Sequence, residues 1–207
     1  IQLVVENLSA INVDKKFIFV VNQDDCAKVH LDDTIRLLTG NNSTIIRVQN
    51  KTKGAACTSL LAAPYIMSAD PLIISNSDQI IHQSLMNVHS LFDKKSYDAG
   101  VICFDSVHPR FSYIRVDNNG LIVEVAEKKP ISRNAIAGFY WFRRGEDFVR
   151  AAMKTIDKDA SVDGAYFIAP TLNELILEGM TIGFHKIPNE DYASFYSVER
   201  RSEYQES

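Results

Sequence analysis

The chain has 207 residues, a length suited to one large domain, and its 46% hydrophobic and 23% charged residues are ordinary for a globular protein. Its net charge is −4, acidic and basic residues are interleaved, and no basic block is present, which argues against nucleic-acid binding. No apolar run approaches the roughly 20 residues that a membrane span requires.

Three isolated cysteines bear on the cellular compartment. Cys26, Cys57 and Cys103 form no CxxC pair, and their odd number argues against a disulfide framework. Thiols that stay reduced are typical of the cytosol. We therefore expect a cytoplasmic protein.

The first fifty residues predict an amphipathic helix followed by a strand–helix–strand unit. Leu3, Val4, Leu8 and Ile11 recur at helical spacing. Beyond them we predict an apolar strand, one or two helices and a second strand, at residues 17–21, 25–38 and 44–48.

A polar loop with one glycine follows the second predicted strand. It runs from Gln49 through Thr52 to Gly54 and continues into small residues that open a helix. Small residues allow a ligand to approach the backbone closely, and helix N-termini favour anions. The loop lacks the GxxxxGK[ST] pattern of a P-loop. A single glycine in a polar loop is also ordinary turn chemistry.

The third predicted strand ends in the sequence Ser75-Asn76-Ser77-Asp78-Gln79. The apolar run before it is typical of a parallel strand buried on both faces, whose carboxyl end lies where open α/β sheets bind ligands. Asp78 would supply a hard oxygen ligand for Mg²⁺ at that edge. The alternative is that Asp78 is the N-cap of the next helix, predicted over residues 80–92.

The second half of the chain predicts further strands and two helices. An Asn-Gly turn at residues 119–120 joins two strands into a hairpin, which leads into the charged segment Glu127-Lys128-Lys129. Gly138 weakens a long apolar strand unless another group must approach there. Strands are predicted at residues 100–104, 112–116, 121–125, 135–142, 181–187 and 194–198, and helices at 145–156 and 169–177.

The order of these elements predicts the fold class. Strands and helices alternate in the first half of the chain, which indicates a parallel sheet with right-handed crossovers. No repeat or linker divides the sequence, so we predict one domain over residues 1–207.

Several segments, taken in order, resemble sugar-phosphate nucleotidyltransferases. They are Gln49…Thr52-Lys53-Gly54-Ala55-Ala56, Ile74-Ser75-Asn76-Ser77-Asp78-Gln79, Val125-Ala126-Glu127-Lys128, Ala137-Gly138-Phe139-Tyr140, and Asp163-Gly164-Ala165-Tyr166 followed by residues 170–176. The resemblance covers nearly the whole chain. It is nearest to bacterial members found with capsule and surface-polysaccharide genes, which resemble glucose-1-phosphate thymidylyltransferases.

The resemblance implies a fold and a reaction. The fold is α/β, a three-layer α/β/α arrangement with a mixed, mostly parallel, Rossmann-like sheet. In the reaction a sugar 1-phosphate attacks the α-phosphorus of a nucleoside triphosphate and pyrophosphate leaves. The product is an NDP-sugar or a CMP/CDP-linked compound for capsule or surface polysaccharide. Such chemistry depends on positioning and charge neutralisation. The sequence does not decide between a monomer and a homo-oligomer.

The resemblance also implies site residues. Asp78 would hold Mg²⁺ against the phosphates, and Asp78 and Lys128 would be the catalytic residues. A carboxylate suits Mg²⁺ and a compact ammonium suits a phosphate. The remaining implied contacts are Gln49, Thr52, Gly54, Ala55 and Ser77 for the nucleotide, and Glu127 and Gly138 for the sugar. Without the resemblance, the charged segment that contains Lys128 is typical of a solvated surface.

The chain departs from the family at both ends. Family members begin with a strand and a Gly-rich loop that grips the triphosphate, so on the order of thirty residues are expected ahead of Ile1 and the chain as given is expected to be inactive. No second metal-binding aspartate is evident near the end.

Two alternative functions stay open. One is a glycosyltransferase of related GT-A-like fold, which normally needs an acidic pair such as Asp-x-Asp at the metal. This alternative is disfavoured because the residues two positions from Asp78, Asn76 and Ile80, are not acidic. The other is a non-catalytic nucleotide-sugar-binding domain.

Overall fold

The computed structural model of the protein describes residues 1–195. The helices are α1 (Gln2–Ser9), α2 (Gln23–Val29), α3 (Leu31–Leu38), α4 (Ala55–Leu60), α5 (Ala63–Ile66), α6 (Leu85–Lys94), α7 (Gly145–Asp157) and α8 (Ile168–Leu177). The strands are β1 (Phe17–Asn22), β2 (Ser43–Val48), β3 (Leu72–Ser75), β4 (Gln79–Ile81), β5 (Ala99–Asp105), β6 (Ser112–Val116), β7 (Ile122–Glu127), β8 (Asn134–Phe142), β9 (Ile182–Lys186) and β10 (Tyr192–Ser194). No helix in this range is long and apolar enough to cross a membrane.

The long strand β8 is the centre of the main sheet and is buried along all but its first residue. β5 pairs with one side of β8, and β9 follows β5. On the other side of β8, β3 pairs with residues 139–142 and β6 pairs at Ala135. β7 completes a hairpin with β6. The pairs β1–β2 and β4–β10 form two further small sheets.

The main sheet has a hydrophobic core on each face because side chains alternate along its strands. On one face, Val101 and Tyr140 pack in a cluster with residues of α7 and α8. On the other face, Ile102 and Trp141 pack in a cluster with residues of α6. The predicted three-layer α/β architecture with a mixed sheet is therefore confirmed.

Parallel strands are fewer than predicted. Among residues 1–195, only β1–β2 and β5–β9 pair in parallel. The other five pairings are antiparallel, and three of them involve β8. The expected parallel majority is therefore not observed, because β8 runs opposite to each of its three neighbours.

The helix predicted over residues 80–92 is wrong in its first part. Gln79–Ile81 form β4, which pairs with β10, and α6 begins only at Leu85. Ser84 is the N-cap of α6, and its hydroxyl accepts a hydrogen bond from the backbone N–H of Asn87. The alternative of Asp78 as the helix N-cap is therefore excluded. The strand predicted at residues 194–198 lies mostly outside the described residues.

Candidate functional site

An open cleft of about 380 Å³ lies at the carboxyl ends of β1 and β2. The two strands run in parallel, so their last residues, Asn22 and Val48, reach the same edge and both line the cleft. A cleft of this size is in the range of small-molecule sites. Three predicted nucleotide-binding residues line it: Thr52, Gly54 and Ala55. Gln49, a fourth, is exposed on the chain between β2 and this loop.

The loop that borders the cleft is held by side-chain hydroxyls. Thr52 Oγ1 and Thr58 Oγ1 lie 2.5 Å apart, so one hydroxyl donates to the other. The second hydroxyl donates to the carbonyl of Gly54, which is 3.2 Å from Thr52 Oγ1 and 3.1 Å from Thr58 Oγ1. These bonds fix the loop as it enters α4, so its shape is set before any ligand binds.

Gly54 lies directly against the backbone of Tyr166, which is two residues before the start of α8. Its φ of +111° is a conformation that other residues rarely adopt. A Cβ here would lie 2.7 Å from the nitrogen of Tyr166 and 2.9 Å from its carbonyl carbon. Backbone hydrogen bonds from Tyr166 to Lys53 (2.7 Å) and from Ala56 to Tyr166 (3.0 Å) flank this contact. The close approach that glycine permits at this position is to protein backbone.

The end of β3 presents two predicted site residues to solvent. Ser77 and Asp78 are both exposed. The backbone carbonyl of Asp78 accepts a hydrogen bond from Phe195 N at 2.7 Å, while its carboxylate makes no hydrogen bond or ion pair within residues 1–195. The next residue, Gln79, is buried and donates to the carbonyl of Ala137. In the part of the chain that the structure describes, the carboxylate thus has no partner, whereas the backbone of Asp78 and the side chain of Gln79 are each held by a hydrogen bond.

On one side of β8, β6 pairs at Ala135 and β3 pairs from Phe139 onward. Gly138 lies in the gap between these two pairings. Its carbonyl accepts a hydrogen bond from Asn76 N at 3.0 Å, and its φ is +64°. A Cβ here would lie 2.5 Å from Oε1 of Gln79 and also against the carboxamide of Asn76. The groups that approach Gly138, and that leave no room for a side chain there, are these two carboxamides.

Glu127 ends β7 and is half-buried. Its carboxylate accepts a hydrogen bond from the hydroxyl of Ser112 on β6. Burial raises the pKa of Glu127 above its usual range, although the hydrogen bond from Ser112 and the charge of Lys128 act in the opposite direction. A partly desolvated carboxylate with one fixed donor is suited to accept hydrogen bonds from hydroxyl groups.

Lys128 is held in a defined position. Its ammonium lies 3.0 Å from a carboxylate oxygen of Asp163 and 4.9 Å from the ring centroid of Phe167. Its φ is +55°, and its backbone N–H donates to Phe111. The side chains of Lys128 and Asp163 are 39% and 72% exposed, so this is a surface ion pair, and the alternative of a solvated charged segment stays open. Lys129, the next residue, is exposed.

The comparison with protein families identifies the chain. The family profile described as nucleotidyl transferase matches residues 1–182, which is most of the chain. The chain belongs to this family. No curated protein matches it.

Solved structures resemble this nucleotidyl transferase in fold. A nucleoside-diphosphate-sugar pyrophosphorylase from Vibrio cholerae RC9 is 20% identical, with a TM-score of 0.83, over 98% of this chain and 85% of that one. A UDP-glucose pyrophosphorylase complexed with UDP-glucose is 15% identical, with a TM-score of 0.74, over 100% and 86%. The inositol-1-phosphate CTP transferase from T. maritima is 15% identical, with a TM-score of 0.70, over 95% and 77%.

The predicted residues of the nucleotidyl transferase fall in three places: the cleft beside β2, the end of β3 against Gly138, and the end of β7. Sequence reasoning missed the side chains that organise these places, which are Asn76, Gln79, Ser112, Asp163 and Tyr166. Asp163 and Tyr166 lie in a segment that carried the family resemblance, and this was a signal for them. Asn76 and Gln79 also lie in such a segment. Ser112 gave no local signal, because its contact with Glu127 joins two different strands.

Proposed function

We propose that this nucleotidyl transferase makes a nucleotide-sugar from a nucleoside triphosphate and a sugar 1-phosphate. An oxygen of the sugar phosphate bonds to the α-phosphorus, and the bond from that phosphorus to the leaving pyrophosphate oxygen breaks. One observation carries the proposal. Lys128 directly follows the half-buried Glu127 in the sequence, and its ammonium is paired with Asp163. Three residues after Asp163, the backbone of Tyr166 is hydrogen-bonded to Lys53 and Ala56, on either side of Gly54 in the cleft. Groups suited to base, phosphate and sugar are thereby connected.

Each group has a role that its environment supports. The cleft residues Thr52, Gly54 and Ala55 would contact the base and ribose, with Gln49 at the rim. Their loop is fixed internally, and a preformed loop lowers the cost of binding.

The sugar phosphate would occupy the region around the end of β7. Lys128 would neutralise charge on the phosphate during transfer. Glu127 would accept hydrogen bonds from sugar hydroxyls, with Gly138 and the Asn76 and Gln79 carboxamides beside the sugar.

Mg²⁺ is the cofactor that the family implies, and Asp78 fits it. Mg²⁺ commonly keeps several waters and binds through one or two carboxylates plus substrate phosphates. The carboxylate of Asp78 is exposed and unpaired within residues 1–195, and Ser77 lies beside it. No group of three or more candidate metal ligands occurs in that range. Asp78 would hold the ion, which supplies charge neutralisation when bound.

The substrate class is supported by what similar structures are called. One is complexed with UDP-glucose and another is a CTP transferase acting on inositol 1-phosphate. The choice between an NDP-linked and a CMP/CDP-linked product, the role in capsule or surface polysaccharide, and the cytoplasmic location stay predictions.

Pyrophosphate release tests the proposal. The protein expressed from its complete gene is incubated with Mg²⁺, each common nucleoside triphosphate, and a panel of sugar 1-phosphates. We expect pyrophosphate only when both substrates are present, and a loss of about 100-fold or more in rate for Lys128→Ala. Lys129→Ala is the matched control, with an expected rate within about twofold of wild type. Hydrolysis of the triphosphate without the sugar phosphate, or no release with any pair, would refute the proposal.

A further inference from the structure

A tight turn precedes α8 and carries an aspartate. Val162 and Ala165 exchange backbone hydrogen bonds of 2.9 and 3.0 Å across Asp163 and Gly164. The φ angles of these two central residues are +51° and +73°. An Asp-Gly pair is favoured in such two-residue turns, so turn chemistry accounts for the residue types. It does not account for the direction of the Asp163 side chain.

Tyr166 fixes this turn to the loop of the cleft. Its backbone forms hydrogen bonds with Lys53 and Ala56, one on each side of Gly54. Its hydroxyl donates to Asp159 Oδ1 at 2.6 Å, which ties the two ends of the segment around the turn together. A shift of the loop would therefore be transmitted to the turn.

The carboxylate of Asp163 reaches the ammonium of Lys128 at 3.0 Å, across 35 residues of sequence. The ring centroid of Phe167 lies 4.9 Å from the same ammonium. The side chain of Lys128 is 39% exposed, so the ammonium is accessible to a ligand. An ammonium has three donors, and Asp163 accepts only one of them.

We propose that Asp163 is a positioning residue, which holds the ammonium of Lys128 where the sugar phosphate binds and links it to the loop of the nucleotide cleft. This inference rests on the proposed function. A lysine side chain free in solution loses considerable rotamer entropy when it is fixed by a ligand. With Asp163 in place, part of that loss has already occurred. Because the pair is exposed, the expected gain in affinity is modest, about three- to fivefold.

Asp163→Gly removes the carboxylate and keeps a residue that accepts positive φ, so the turn is preserved. Asp163→Asn also preserves the turn and retains an uncharged acceptor. The first measurement is the rate at which Lys128 is acetylated in the ligand-free protein, by mass spectrometry, with Lys129 as the internal reference. We expect Asp163→Gly to speed acetylation of Lys128 severalfold, Asp163→Asn to give an intermediate rate, and Lys129 to be unaffected. An unchanged rate at Lys128 would overturn the inference.

The second measurement is a double-mutant cycle with the dissociation constants of UDP-glucose and dTDP-glucose. We expect Asp163→Gly to weaken binding about three- to fivefold in the wild-type background and not at all in Lys128→Ala. Equal weakening in both backgrounds would show a merely structural effect, and tighter binding would show that Asp163 competes with the phosphate. Either result overturns the inference. If the wild-type protein binds neither probe, the proposed function loses support, while the acetylation rates still decide whether Asp163 holds Lys128.

Discussion

Replacing Gly54 with alanine is expected to separate the loop of the cleft from Tyr166. The added Cβ would lie 2.7 Å from the nitrogen of Tyr166, a distance at which the backbone must move. The φ of +111° is itself unfavourable for alanine. The loop therefore has no local adjustment that keeps both its conformation and its contact.

The size of the effect follows from the contacts that are lost. Two backbone hydrogen bonds, Tyr166 to Lys53 and Ala56 to Tyr166, flank the collision. Their loss costs about 1 kcal/mol each, and the strained backbone costs about 1–3 kcal/mol. We expect the free energy of unfolding to fall by about 3–5 kcal/mol.

Urea denaturation measures this change, and Gly120→Ala is the matched control. Gly120 also has a positive φ, of +77°, but no atom lies within 4 Å of the position of its Cβ. The control should lose only the free energy that alanine costs at a positive φ, about 1–2 kcal/mol. If Gly54→Ala loses no more stability than Gly120→Ala, the contact with Tyr166 does not have the importance that we assign to it.

Three further predictions concern the sugar site and the core. The pKa of Glu127 is raised in the folded state, which therefore binds the proton more readily than the unfolded state does. The free energy of unfolding, measured by urea denaturation, should thus fall as pH rises from 4.5 through that pKa, and Glu127→Gln should remove this pH dependence. Gly138→Ala should raise the KM for the sugar 1-phosphate about tenfold or more and leave the Kd of the nucleotide unchanged. Leu172→Ala, in the core under α8, should cost about 2–5 kcal/mol in urea denaturation, whereas Leu177→Ala on the same helix should cost under about 0.5 kcal/mol.

Distinct outcomes would contradict each of these predictions. A Glu127→Gln variant with the pH slope of wild type would place the titration elsewhere. A Gly138→Ala variant that weakens only nucleotide binding would separate Gly138 from the sugar. Similar losses for the two leucine variants would mean that burial does not set their contributions.

Local sequence signals predicted much of the fold. The hairpin at residues 119–120, the helices α7 and α8, and the apolar strand around Gly138 follow from turn chemistry and periodicity. Ile80 and Ile81 misled the helix prediction, because a short buried strand and the start of a helix share an apolar run. Antiparallel pairing of β8 with β3 and β5 depends on contacts across the chain, which periodicity does not report.

The sequence predicted which residues belong to the candidate site, but it did not predict the contacts between them. Asp78 and Lys128 stood out by resemblance and chemistry. The pairing of Lys128 with Asp163, and the contact of Gly54 with Tyr166, join segments that lie far apart in sequence. Local sequence patterns do not report such contacts.

Titration calorimetry of nucleoside triphosphates in the presence of Mg²⁺ tests the central claim most directly. Wild-type protein, Asp78→Asn and the exposed control Asp14→Asn are titrated with CTP, UTP, dTTP, ATP and GTP, with Mg²⁺ and with a chelator. We predict that wild type and Asp14→Asn bind one of these nucleotides with the same dissociation constant. In the presence of Mg²⁺, Asp78→Asn should raise that dissociation constant at least about tenfold, and with the chelator it should leave the constant unchanged. If no nucleotide binds, or if Asp78→Asn binds as wild type in Mg²⁺, the account of this site is contradicted.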